Sequence, residues 1–186
     1  GVDTNYFKSN PKKIKKFDIV FVGNMSYPPN IEAAIYICKN ILPIIQKKHP
    51  KCRVLIGGIN PHDRVKKLQN KNITISGWTR DIREIYASGK IFVAPMFIGT
   101  GLQNKLLEAM AMGMPCVTTE LANNALLANS SQIIIANNEL DFANACISIL
   151  QNDNISSKIT QNALRFIKEN YAWDSINNNL NLLFKQ

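Results

Sequence analysis

Short apolar, β-branched runs alternate with helix-patterned segments along the chain, and this alternation limits the possible folds more than any other feature. "FDIVFVG" (17–23), "CRVLIGG" (52–58), "ITISG" (73–77), "KIFVAPM" (90–96), "PCVTT" (115–119) and "QIIIA" (132–136) read as six strands. Between them, residues 30–50 show helical spacing through Ile31, Ala34, Ile35, Cys38, Ile41, Leu42 and Ile45, with Pro43 expected to kink or split the helix. Further helices are expected over 61–69, 81–88, 104–112, about 138–151, about 155–170 and about 173–184. Strands that are continuous apolar runs belong in a parallel sheet covered on both faces. The expected fold is α/β, a Rossmann-like open parallel sheet of about six strands.

In such a sheet ligands bind beyond the carboxyl ends of the strands, beside helix N-termini. Four strand exits here carry glycine or polar loops: Gly23-Asn24, Gly57-Gly58, Gly77-Trp78-Thr79-Arg80 and the Met96–Gln103 loop. The last is the most informative. In "GTGLQNKLLEAMAMGMPCV" (99–117) glycines let backbone N–H groups approach an anion. The following helix adds about half a positive charge and free N–H donors. Lys105 sits near its first turn, and Glu108, three residues on, shares its face. Amides and Lys105 suit a diphosphate, and a carboxylate at Glu108 suits the vicinal hydroxyls of a ribose. The same spacing also describes an ordinary surface ion pair, worth about 0.2–0.5 kcal/mol. Trp78 reads either as a stacking group near a base or as packing at the sheet end.

Composition narrows the classes. The 186 residues carry a net charge of +9, with lysines grouped at Lys12, Lys13, Lys15 and Lys16, at Lys47, Lys48 and Lys51, and at Lys66, Lys67 and Lys71. That charge suits a phosphorylated ligand or an anionic lipid surface, or simply a solvated face. No nucleic-acid-binding signature or aromatic-interleaved basic stretch accompanies it. Cys38, Cys52, Cys116 and Cys146 are widely spaced and read as buried apolar residues. His49 and His62 lack neighbouring metal-ligand partners, so no metal site is expected. No run reaches the roughly 20 apolar residues of a membrane span. The chain starts at Gly and shows no leader pattern, so it reads as a piece of a longer protein.

"NKLLEAMAMGMPCVTT" (104–119) resembles the hallmark stretch of retaining group 1 glycosyltransferases of the two-domain GT-B fold. "GVDTNYF" (1–7), "FVGNMSYPPNIEAAI" (21–35), "ITISGWTRDIREIYASGKIFVAPM" (73–96) and "ENYAWDSINNNLNLLF" (169–184) resemble other parts of the same half in the same order. The resemblance implies the C-terminal, donor-binding half: an inter-domain linker over 1–16, a nucleotide-sugar donor-binding domain over 17–170, and a helix over 171–186 crossing back to an N-terminal domain.

It further implies transfer of a sugar, with retention, from a nucleotide-diphosphate sugar (UDP- or GDP-linked) to a saccharide or lipid-linked acceptor in cell-surface polysaccharide synthesis. The enzyme would be cytoplasmic, peripheral at the inner face of an anionic membrane, without metal, cofactor or nucleic-acid partner. Catalytic groups are expected mainly on the N-terminal domain, and the fragment alone is expected to be inactive. Donor-binding positions carried over are Gly23, Asn24, Thr79, Arg80, Thr100, Gly101, Leu102, Gln103, Asn104, Lys105 and Glu108. Glu108 matches the second glutamate of the family's E-x7-E motif, but Thr100 stands at the first. Asn24 and Asn30 stand where the family carries Arg and Lys against the diphosphate, and Lys105 is a candidate replacement charge. These departures keep open a non-catalytic nucleotide-binding or interaction module, and a GT-B-like nucleotide-sugar epimerase remains a further reading.

Overall fold

The computed structural model describes residues 1–9, 13–99 and 101–177. Its centre is one six-stranded, all-parallel sheet in the order β3-β2-β1-β4-β5-β6. The strands are β1 (Phe17–Val22), β2 (Val54–Gly57), β3 (Ile73–Gly77), β4 (Gly89–Ala94), β5 (Cys116–Thr118) and β6 (Ile134–Ile135). The two central strands are buried almost throughout, including Ile19, Val20, Phe21, Ile91, Phe92 and Val93. Each such side chain contributes about 1.5–3 kcal/mol by leaving water. The strand order reverses between β1 and β4, so the sheet has its switch point there.

The helices are α1 (Pro28–Tyr36), α2 (Leu42–Gln46), α3 (Asp63–Lys66), α4 (Arg83–Ser88), α5 (Asn104–Ala111), α6 (Glu120–Asn123), α7 (Glu139–Gln151) and α8 (Asp153–Asn170). In the packing α2 lies on α7, and α5 on α8. The expected helix over 30–50 starts earlier and breaks. Pro28 and Pro29 open α1 instead of preceding it, because a missing N–H costs nothing in the first turn. Pro43 then removes a donor from the helical ladder. A π-helical stretch, Ile37–Ile41, absorbs the defect, and the Leu42 N–H reaches back five residues to Ile37 O.

Helix α6 was not expected. Thr119 caps it, its hydroxyl accepting from the Ala122 N–H at 3.2 Å. Asn152 likewise starts α8 at Asp153, ahead of the expected 155. His62 caps α3, which is shorter than the 61–69 expected. All four cysteines are free and buried.

The N-terminal segment is fastened to this body. Val2 is buried and bridges to Ala172. The Arg83 guanidinium lies 3.9 Å from the Tyr6 ring centroid while binding Asp81 at 2.7 Å. Residues 173–177 are helical; the remainder of the expected 173–184 helix lies outside the described residues. Among the described residues no helix is long and apolar enough to cross a membrane.

Candidate donor-binding site

A cleft of about 320 Å³ opens at the carboxyl ends of β1, β2 and β3, beside the switch point. Small-molecule clefts run from roughly 300 to 1,000 Å³. Its walls come from four separate stretches: Val22 and Gly23 at the end of β1, Gly58 and Ile59 after β2, Trp78, Thr79 and Ile82 after β3, and Lys105 and Glu108 on α5.

The Lys105–Glu108 surface pair is not formed. Each side chain is half-buried and each has its own partner. The Tyr86 hydroxyl donates to Glu108 Oε2 at 2.7 Å, and Tyr86 itself is fully buried on α4. Burial raises the Glu108 pKa above the usual carboxylate value, while the Tyr86 hydroxyl and the Lys105 charge pull it back. The Lys105 ammonium donates to Asn30 Oδ1 and lies 5.2 Å from the Phe21 ring centroid. Burial lowers its pKa to about 8, against a smaller opposing pull from Glu108.

Asn30 is the buried post of this arrangement. Its Nδ2 donates to Asn24 O at 3.0 Å, which ties the loop after β1 to the lysine of α5. Asn30 carries no charge itself, but it positions the charge that α5 brings. Helix α5 opens at Asn104 with Gln103 as its N-cap, and no side chain caps it. Its first N–H groups therefore remain donors for a ligand.

Of the residues expected at the site, Gly23, Thr79, Lys105 and Glu108 line the cleft. Leu102, Gln103 and Asn104 carry the chain from Gly101 into α5. Asn24 turns its side chain back onto the Ser26 N–H at 3.1 Å, and Arg80 is exposed outside the cleft lining. Thr100 lies outside the described residues. Trp78 does not pack the sheet end: it is 71% exposed and forms a cleft wall. An extra residue, Ser76, bulges β3 against β2 just before the exit, where a bulge re-aims the outgoing chain.

Tyr86 escaped the sequence reading because "EIYAS" presents it as one more apolar helix position. The usable signal was that a buried phenol needs a partner. Tyr86→Phe is expected to cost about 1 kcal/mol of stability and to raise the Glu108 pKa further. Urea melts and a side-chain NMR titration of Glu108 check both effects. An unmoved titration would show that Tyr86 does not hold the carboxylate.

The sequence matches the family described as "Glycosyl transferases group 1" over residues 16–152. An uncharacterized 44.6 kDa protein in the cps region of Klebsiella pneumoniae is 31% identical over 178 residues, covering 87% of this chain and 46% of that protein. An Escherichia coli UDP-Gal:alpha-D-GlcNAc-diphosphoundecaprenol alpha-1,3-galactosyltransferase is 31% identical over 99 residues, covering 50% of this chain and 25% of that enzyme. The chain thus spans less than half the length of these curated relatives. Among solved structures, Anabaena HepE in complex with UDP and glucose superposes with a TM-score of 0.80 at 15% identity, covering all of this chain and 55% of that one. With the family match spanning most of the sheet and the loop–helix site, this chain belongs to the group 1 glycosyltransferases.

Proposed function

We propose that the chain is the C-terminal, donor-binding half of a retaining glycosyltransferase. The observation that carries this is the set of groups gathered in one cleft. Trp78 and Ile59 supply apolar wall, Glu108 a carboxylate, and Lys105 a cation in the first turn of α5, whose start no side chain caps. A base against Trp78, ribose hydroxyls on Glu108 and a diphosphate on Lys105 and the α5 amides match those groups. UDP is the favoured nucleotide, because HepE was solved with UDP in the same fold. In transfer, the bond between the sugar's anomeric carbon and the diphosphate oxygen breaks, an acceptor hydroxyl oxygen bonds to that carbon, and the hydroxyl proton leaves with the diphosphate. Lys105 and the α5 amides meet the negative charge that develops on the leaving diphosphate.

The acceptor is proposed to be a saccharide or lipid-linked saccharide in cell-surface polysaccharide synthesis. The cps-region relative and the relative named for a diphosphoundecaprenol-linked acceptor support this. Residues 1–16 serve as the inter-domain linker, 17–170 as the donor domain, and 171–186 as the return toward an N-terminal domain. The enzyme works in the cytoplasm at the inner face of the membrane, a peripheral contact that the net charge of +9 supports.

Calorimetric titration of the chain with UDP, GDP, ADP and CMP tests the site. A nucleoside diphosphate is expected to bind, with affinity reduced tenfold or more by Glu108→Ala, or about 1.4 kcal/mol. Nucleotide affinity indifferent to Glu108→Ala would refute the assignment. So would a full-length protein that transfers no sugar from any nucleotide donor.

A further inference from the structure

A large concavity lies at the other end of the strands. It measures about 940 Å³ and its rim carries Lys15, Lys16, Lys48, Lys51, Arg53, Lys71 and Lys90. A parallel sheet explains the gathering. Every strand begins at the same end, so residues that precede or open β1, β2, β3 and β4 come together although the sequence separates them. Three lysine groups of the sequence therefore contribute to one basin, while Lys47, Lys66 and Lys67 stay outside it.

The basin carries a large excess of positive charge. Among the described residues Asp18 is the one carboxylate in its lining, and Lys90 holds it at 2.9 Å. Other cations are fixed by the fold: Lys15 Nζ donates to Gly89 O at 2.9 Å, and the Arg53 guanidinium lies over the Phe17 ring and donates to Lys16 O. So many like charges in one hollow repel one another, and a multiply charged anion relieves that repulsion.

Two apolar features choose between anions. Ile14, flanked by Lys13 and Lys15, is 76% exposed. The basin shares Lys15, Lys90 and Leu150 with a second hollow of about 370 Å³, where the half-buried Leu150 and the buried Pro115 and Ile149 stand beside Asp153, Ser156 and Thr160. Phosphate-binding cations beside apolar side chains suit an interface of headgroups and acyl chains, and a soluble anion has no use for the apolar part.

We infer that the basin at the amino ends of β1 to β4 docks the protein on acidic phospholipid headgroups, with Ile14 entering the interface. This deepens, and rests on, the proposed peripheral membrane contact, but it is independent of the nucleotide site. Six residues of β1 separate the two ends by roughly 20 Å at about 3.3 Å per residue.

The test uses the 186-residue chain with flotation on phosphatidylcholine vesicles, with and without phosphatidylglycerol. Binding is expected only with phosphatidylglycerol. Lys48→Gln/Lys51→Gln/Lys71→Gln should lower the partition coefficient about a hundredfold, at about fivefold per lysine near a charged surface. Lys66→Gln/Lys67→Gln/Lys168→Gln, with the same loss of charge from exposed positions outside the basin, should lower it less than tenfold. Both variants should keep the wild-type melting temperature and UDP affinity, and Ile14→Ser should weaken vesicle binding without changing its salt dependence. Equal losses in the two lysine variants would overturn the basin and leave a general peripheral contact standing. No binding to acidic vesicles would overturn the basin as a docking site. Pyrophosphate binding that the Lys48/Lys51/Lys71 variant loses, without vesicle binding, would reassign the basin to a soluble anion and overturn the membrane assignment.

Discussion

Replacing Lys105 with Met is expected to lower sugar transfer by the full-length protein by about 10²- to 10³-fold, the usual effect of removing one preorganised donor from a developing anion. The ammonium is half-buried, is placed by Asn30 and, among the described residues, has no carboxylate in direct contact. A desolvated cation is costly to a fold unless something pairs with it. In the proposed function a bound diphosphate is that partner. The same variant should therefore lose nucleotide affinity while the unliganded chain becomes no less stable.

The pH dependence has a definite sign. Burial lowers the Lys105 pKa from 10.5 to about 8 in the folded chain. Between pH 8 and 10.5 the unfolded chain holds the proton that the folded chain has released. Stability therefore rises with pH across that window, and the full cost of the buried charge is present below it. Binding runs the other way, because the diphosphate needs the charged form. Nucleotide affinity should fall by up to about tenfold per pH unit above pH 8 until the pKa of the complex is reached. Calorimetry from pH 7 to 9.5 reads this slope, and Lys105→Met should flatten it. Transfer by the Met variant within tenfold of wild type would remove Lys105 from the mechanism.

Gly58→Ala carries the largest expected effect on stability. Gly58 is buried with φ +129°, a backbone conformation closed to residues with a Cβ. An added Cβ would lie 1.8 Å from Gly23 O and 2.8 Å from Gly23 C. Both atoms are backbone at the exit of the central strand, so no side chain can yield. The Gly23 N–H already donates to Gly57 O at 3.1 Å, which holds the two strand exits together.

The expected loss is about 3–5 kcal/mol, which lowers the melting temperature by roughly 10 °C at 2–4 °C per kcal/mol for a chain of this size. Nucleotide binding should fail as well, because Gly23 and Gly58, in contact with each other, both line the cleft. Gly77→Ala is the control. Gly77 has φ +66° but open space around its Cβ position, so only about 1 kcal/mol of backbone strain is expected. A Gly58→Ala protein within 1 kcal/mol of wild type would show that the close approach of the strand exits is dispensable.

The elements of this fold are legible where the determining information is local. Each strand lies in a short, largely apolar and β-branched run, so all six were readable. Caps and prolines are also local, but their effects on boundaries depend on geometry: Pro28 starts a helix instead of preceding it, Pro43 makes a π-helical turn, and Thr119 starts a short helix. Lys105 and Glu108 could be named in advance because they share one helix face. Their partners could not. Tyr86 lies twenty-two residues before Glu108, and Asn30 lies seventy-five before Lys105.

By itself, the sequence determined the class of sheet, the loop–helix of the candidate site and the excess of positive charge, because periodicity, turn chemistry and composition act over a few residues or none. Only the tertiary structure decided the strand order, the exposure of Trp78, the contact between Gly58 and Gly23 and the gathering of dispersed lysines into one basin. These depend on which strands pair, and strand pairing joins residues whose separation along the chain carries no local mark.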